Sequence, residues 1–267
     1  MNRAIFYVIA AFCMCVFASC GGGSGSTTTA AAEVDIAEQL WGELDLAAAP
    51  NTLAAKERQA GWQLLFNGTS FAGWHGFNTP GEVPDFWAIE DAFISPNSTG
   101  GGEGQDLATD AIYSNFAFSV EYKLSPGSNS GIIYHLQEGP AYTYAYETGP
   151  EFQLTDQSDR PVERRLTGYQ SHGANYGMYA PTADPLPFKP AGEWNRLMLI
   201  CKDNEVIHIV NGVQIVRFMK YSDEWKKLRD DGKWADYPDY GKADEGHISL
   251  QNHGAKLWFR NIKLKQL

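Results

Sequence analysis

The stretch that decides the fold is Phe116-Ala117-Phe118-Ser119-Val120-Glu121-Tyr122-Lys123-Leu124. Large apolar side chains occupy every second position, at Phe116, Phe118, Val120, Tyr122 and Leu124, with Ala117, Ser119, Glu121 and Lys123 between them. A period of two is that of a β-strand with one face in a core and the other partly wet. Working outward, similar short runs bounded by Gly, Pro, Asn and Asp predict strands at Gly131–Glu138, Glu151–Thr155, Trp194–Lys202, Glu205–Val210, Val213–Met219, His247–Gln251 and Leu257–Leu264. Asn211-Gly212 lies between two of them, and Asn-Gly takes the positive φ angles of a type I′ hairpin turn with little strain.

One helix interrupts this pattern. Ser222 can cap it, Asp223 and Glu224 suit its positive N-terminal end, Lys226, Lys227 and Arg229 suit its far end, and Asp230-Asp231-Gly232 stops it. No repeat of 20 to 50 residues and no βαβ alternation is present, which argues against propellers, solenoids and doubly wound sheets. The economical reading is one antiparallel sandwich over 61–267.

The composition agrees with that reading and narrows the partners. The 267 residues are 43% hydrophobic and 20% charged, enough for one sizeable core. Against 21 Lys+Arg stand 32 Asp+Glu, a formal charge of −11, which repels phosphate backbones and anionic lipid heads and argues against nucleic acid as a partner.

The first residues read as an export signal. Arg3 precedes an uncharged apolar run from Ala4 to Ala18, short for a membrane span, and Phe17-Ala18-Ser19-Cys20 resembles a bacterial lipobox. On this reading 1–19 is a lipoprotein signal peptide, Cys20 is the lipidated residue, and 20–32 is a flexible tether. The alternative is an ordinary secretory signal cleaved nearby. The protein is then expected in the periplasm or anchored at the outer membrane, touching the membrane only through its lipid. Cys13 and Cys15 would be lost with the signal, and Cys201, in the apolar run after Leu197, is expected to be a core thiol. Residues 33–60 form a helical or irregular lead-in, with Val34, Leu40, Trp41 and Leu44 as the apolar positions of an amphipathic helix that packs loosely or serves as a stalk.

Three constellations could carry chemistry. In the tyrosine-rich segment Tyr142–Leu154, a strand from Glu151 places Glu151, Gln153 and Thr155 on one face, beside Tyr146 and Glu147. Polar groups next to aromatic rings suit a sugar; the plainer reading is a solvent-facing strand. In a second row, His247, Ser249, Gln251 and His253 alternate with Ile248 and Leu250, and the two histidines are too far apart along a strand to share an ion unaided. The third is the glycine- and aromatic-rich loop 169–181, holding His172 and Tyr179, in which His172 is the candidate for proton transfer and, equally, an idle surface histidine. No Gly-x-Ser-x-Gly, His-Glu-x-x-His, Walker-type or dinucleotide-binding motif is present, and Gly100–Gly104 reads as a loop, so no nucleotide cofactor is expected.

Taken in order, GWQLLFNGTSFAGWHGF, FSVEYKLSPGSNSGIIYHLQE, YETGPEFQLTD, GANYGMYAP, KPAGEWNRLMLICKDNEVIHIVNGVQIV and GHISLQNHGAKLWFRNIKL resemble the family long called DUF1080, associated with 3-keto-glucoside lyase/hydratase or 3-keto-disaccharide hydrolase activity. The resemblance spans about Thr52 to Leu267. It implies an all-β concanavalin A-like lectin/glucanase jelly-roll sandwich with a sugar site on its concave face. It also implies cleavage of 3-keto-glycosides by removal of the C2 proton and β-elimination of the C1 substituent, with or without hydration of the 2-hydroxy-glucal. A separate sugar C3-dehydrogenase would supply the ketone.

Under that resemblance His172, Glu147, Glu151 and Asp106 are the candidate catalytic residues, Asp106 lying in Gly104-Gln105-Asp106-Leu107, which resembles the family's Gly-Gly-Asp-Leu stretch. His135, Tyr146, Gln153, Tyr179, Gln251 and His253 are the candidate substrate contacts. A divalent cation is an open expectation, for which His135, Glu147 and His253 are the available ligands. Two alternatives remain: a non-catalytic carbohydrate-binding module, and a conventional glucanase, disfavoured because the row Glu151, Gln153, Thr155 keeps only one carboxylate.

Overall fold

The computed structural model describes residues 35–96 and 105–267. The segments expected to be a signal peptide and tether, Cys20 and the Gly100–Gly104 run lie outside the described residues. Among those described are three α-helices, α1 (Ile36–Glu43), α2 (Ala55–Gln59) and α3 (Asp223–Asp231). The strands are β1 (Gln63–Leu64), β2 (Trp74–Gly76), β3 (Trp87–Glu90), β4 (Phe93–Pro96), β5 (Leu107–Thr109), β6 (Phe116–Leu124), β7 (Asn129–Leu136), β8 (Glu151–Thr155), β9 (Trp194–Lys202), β10 (Glu205–Val210), β11 (Val213–Met219), β12 (His247–Leu250) and β13 (Leu257–Gln266).

They form the two antiparallel sheets of a sandwich. The larger runs β11-β10-β9-β6-β13-β4-β3, with β1 also on β13, and the smaller runs β2-β5-β12-β7-β8. Phe116, Phe118, Val120, Tyr122 and Leu124 all enter the core between the sheets, as their alternation predicts. Asn211 and Gly212 take φ of 49° and 87° in the β10–β11 turn, and Ser222 Oγ accepts from the Trp225 amide to cap α3.

The outer face of the larger sheet is drier than the alternation implies. Ala117 and Ser119 are fully buried there, because α1 lies across that face with Leu40 and Leu44 against Ala117, Met198, Ile200, Ile207 and Ile209. The lead-in is therefore neither a stalk nor loosely packed. An eight-residue helix is marginal alone, but burying each leucine contributes about 1.5–3 kcal/mol, so packing holds it. α2 is fixed by a buried ion pair: Lys263 Nζ donates to both Glu57 carboxylate oxygens at 2.7 Å. Those oxygens also accept from the Asp45 and Ala54 amides.

The smaller sheet turns its outer face toward a cap made of the β7–β8 connection, the 166–179 loop and the turn after α3. Phe77, Ile133, Leu136 and Ala145 form a small apolar cluster beneath that cap, joined by Tyr142 and Tyr146. The cap leaves one end of the sheet face open.

Candidate active site

At that open end lies a cavity of about 190 Å³. Its floor comes from strand ends: Asp106 before β5, Asn129 opening β7, Glu151 and Gln153 on β8, and Gln251 and Asn252 after β12. Its walls are Tyr144, Tyr146 and Tyr176, with Lys233 and His253 at the sides. Neighbouring strands bring these segments into register: Gly131 of β7 pairs with Gln153, and its carbonyl accepts from the Gln251 amide at 2.9 Å.

Glu151 is the most perturbed group in the cavity, only 5% exposed. Burial raises its carboxyl strongly, the Lys233 cation pulls it back, the Asp106 charge raises it again and a Gln251 hydrogen bond lowers it, leaving it pushed up to about 8. Glu151 therefore carries its proton at neutral pH. The Gln153 amide, oriented with its nitrogen inward, donates to Glu151 Oε1 at 2.8 Å and to the Ser130 carbonyl at 3.0 Å. Asp106 is also buried, and its Oδ1 accepts from the Asn252 amide at 2.9 Å.

Lys233 owes its place to the residue after it. Trp234 is buried, stacks on Tyr240 at 3.9 Å and donates from Nε1 to the Tyr176 carbonyl at 3.0 Å. A Cβ at Gly177 would meet that indole nitrogen at 2.8 Å, and Gly177 also has φ of 72°, so glycine is required there. Lys233 Nζ then lies 4.1 Å from the Tyr176 ring centroid and 5.6 Å from that of Tyr146, within cation–π range of two walls. Tyr144 and Tyr146 stack at 5.0 Å with planes 7° apart, forming a flat aromatic pair.

Of the candidates read from the sequence, the structure brings together Asp106, Glu151, Tyr146, Gln153, Gln251 and His253. It separates the rest. The His172 ring is stacked on Phe188 at 3.9 Å with Nε2 2.9 Å from the Tyr122 hydroxyl, outside the cavity. Burial pushes its imidazole down to about 4 despite the attraction of Asp156. Glu147 turns back on its own segment, Oε1 accepting from the Thr143 and Tyr144 amides. Tyr179 stacks on Phe218 at 4.3 Å, on the larger sheet.

His135 departs from the pattern for a backbone reason. The β7–β12 register slips at this point, His135 takes φ of 52°, and its ring turns inward against Phe116. It lines a separate cavity with Cys201 and Lys220, where burial first and then the Lys220 cation lower its pKa to about 4. His135, Glu147 and His253 are thus not one ligand set, and among the described residues no group of three or more His, Cys, Asp or Glu is arranged to hold a metal ion.

Sequence reasoning missed Asn129, Tyr176, Lys233 and Asn252 as wall and floor residues. Asn129 and Asn252 flank strands that were recognised, whereas nothing in the periodicity around Lys233 signals its approach to β8.

Comparison with known proteins shows the family and the fold. The family described as the 3-keto-alpha-glucoside-1,2-lyase-like domain matches residues 61–265. A 3-keto-disaccharide hydrolase of Bacteroides thetaiotaomicron is 30% identical, the match covering 99% of each chain. A crystal structure of a glycosyl hydrolase candidate from Parabacteroides distasonis superposes with a TM-score of 0.74 and 38% identity, over 82% of this chain and all of that one. A second P. distasonis structure, 24% identical with a TM-score of 0.58 over 77% of this chain and 99% of that one, shares the fold. This chain belongs to the family of 3-keto-alpha-glucoside-1,2-lyase-like domains.

Proposed function

We propose that this chain is a sugar-cleaving enzyme acting on 3-keto-glycosides by elimination, with Glu151 as proton donor and Asp106 as base. The observation that carries this reading is the pair of buried carboxyl groups in one aromatic-walled cavity, one of them raised to about 8. A carboxyl that keeps its proton at neutral pH can act as the acid, and a second buried carboxyl in the same cavity is placed to act as the base.

In a sugar oxidised at C3, the ketone acidifies the C2–H bond. Asp106 takes that proton, and the electron pair forms the C2–C3 enolate, its negative charge building on the C3 oxygen near the Lys233 ammonium. The pair then forms the C1–C2 double bond as the C1–O bond breaks, and the departing oxygen takes the proton of Glu151. Asp106 has gained one proton and Glu151 has lost one, so returning it resets the site. Conjugate addition of water, oxygen to C1 and hydrogen to C2, converts the 2-hydroxy-glucal product into the free keto sugar. Gln153, Gln251 and His253 contact hydroxyls and Tyr144, Tyr146 and Tyr176 stack on the ring.

The ketone must be made beforehand by a separate C3-dehydrogenase. The lipobox-like Phe17-Ala18-Ser19-Cys20 supports export and attachment through a lipid as part of this reading. Incubation with a 3-keto-glucoside and with its unoxidised parent tests the function. Turnover of the keto sugar alone supports it, turnover of the parent supports a glucanase, and binding of either without turnover supports a binding module.

A further inference from the structure

We infer that His75 is a positioning residue, holding from the opposite end of the sheet the tyrosine loop that walls the sugar cavity. This inference rests on the cavity being the substrate site. His75, on the edge strand β2, is 3% exposed, with carboxylates at both ring nitrogens: Nδ1 is 2.7 Å from Asp110 Oδ1 and Nε2 is 3.1 Å from Glu138 Oε1. The ring also meets His247 edge to face at 5.5 Å. None of these groups lines the cavity, and the proposed mechanism uses none of them.

The network is connected to the loop by short polar links. Glu138 follows β7 and begins the connection that carries Tyr142, Tyr144 and Tyr146 to β8. The same Glu138 Oε1 accepts from the Asn78 amide at 2.8 Å. Asn78 in turn clamps the loop twice: its Nδ2 donates to the Tyr142 carbonyl at 2.7 Å and its Oδ1 accepts from the Gly139 amide at 2.8 Å. Fixing Glu138 and Asn78 thus fixes the strand-to-loop exit and the start of the Tyr142–Tyr146 stretch. An aromatic wall contributes to binding only if its rings are already placed, since ordering them on binding consumes affinity.

Two variants test this. His75→Phe keeps a ring and removes both ring-nitrogen contacts to the carboxyl groups, and Asn78→Gly keeps the φ of 60° while removing the clamp from an exposed position, without touching the buried cluster. Each should speed backbone hydrogen exchange across 139–147 while leaving β9 protected. Each should also raise KM for the keto sugar about tenfold, equivalent to about 1.4 kcal/mol, with kcat held within about twofold. Unchanged exchange in 139–147, a fall in kcat with KM unchanged, or faster exchange without a change in KM would overturn the assignment. Should wild-type protein turn over no keto sugar, the proposed function fails, and sugar affinity measured by calorimetry replaces KM as the readout of the same positioning role. Loss of folding in His75→Phe leaves the decision to Asn78→Gly.

Discussion

A Cβ placed on Gly131 would lie 2.4 Å from Oε1 of Glu151, closer than any carbon and oxygen approach without one of them moving. The absence of a side chain on β7 is what lets the Glu151 carboxyl lie down over the neighbouring strand, between Gln153 and the cavity. Gly131→Ala is therefore expected to leave the sandwich folded and to displace the carboxyl by roughly 1 Å, which costs on the order of 100-fold in kcat/KM where geometry is catalytic. Steady-state kinetics beside a thermal melt check this, and a variant with wild-type kinetics would show that the Glu151 position is not used.

Glu151→Gln tests the raised carboxyl in two ways. As a proton donor with a pKa of about 8, Glu151 makes wild-type kcat/KM fall as pH rises through that value, and the glutamine variant loses on the order of 10²–10⁴-fold at its optimum. Stability moves by linkage. In the unfolded chain a glutamate titrates near 4.3, so between about pH 4.3 and about 8 the folded state holds a proton that the unfolded state has released, and stability falls as pH rises through that window. Glu151→Gln removes this slope. Melting curves should show wild type losing ground to the variant from mild acid up to about pH 8, with no further divergence above it.

The sandwich was legible because its evidence is local. Alternation from Phe116 to Leu124 and the Asn211-Gly212 turn each report on a few adjacent residues, and both meanings survive in the structure. The burial of Ala117 and Ser119 was not legible, because it depends on α1, whose seat on the larger sheet is a long-range fact. The site divides in the same way. Glu151 and Gln153 are i and i+2 on one strand and Gln251 closes another row, so their common face follows from period two. Lys233 reaches them from a turn after α3, held by Trp234 on Tyr240, a contact with no sequence period. His135 misled because a bulge reverses its face, and His172 because a loop of glycines and aromatics can pack inward as well as line a site.

His172→Ala is expected to act on stability and not on chemistry. The ring fills space against Phe188 and satisfies the Tyr122 hydroxyl, which is itself buried in the core. Removing it leaves a void and an unpaired hydroxyl, at a cost on the order of 2–4 kcal/mol. Denaturant melts should show that loss, while kcat per folded molecule stays at the wild-type value; a fall in kcat of tenfold or more in fully folded protein would return His172 to the mechanism.

Cys20→Ser tests the export reading separately from catalysis. On that reading the wild-type protein is expected in the membrane fraction and the serine variant in the soluble fraction with its activity intact, because the residues lining the cavity all lie at Asp106 or beyond. Fractionation and intact mass give the answer. A wild-type chain recovered soluble, with no added lipid mass, would favour an ordinary secretory signal.

The Glu57–Lys263 pair carries the last prediction. Both side chains are fully buried, and Glu57 also serves the Asp45 and Ala54 amides, so the pair joins the lead-in to β13. Lys263→Met strands the carboxylate without its cation and should cost about 3–5 kcal/mol in a denaturant melt. The double variant Lys263→Met with Glu57→Met removes the buried charge but abandons the two amides, so it recovers only part of the loss. The pH dependence has a definite sign. Burial raises the Glu57 carboxyl, but the Lys263 hydrogen bonds and the two amides outweigh it and hold the group below the usual carboxylate value. Its contribution is therefore complete above the unfolded value of about 4.3 and is lost as pH falls through the lower folded one. Wild type should lose stability steeply in that acid window, whereas the double variant should lose less there.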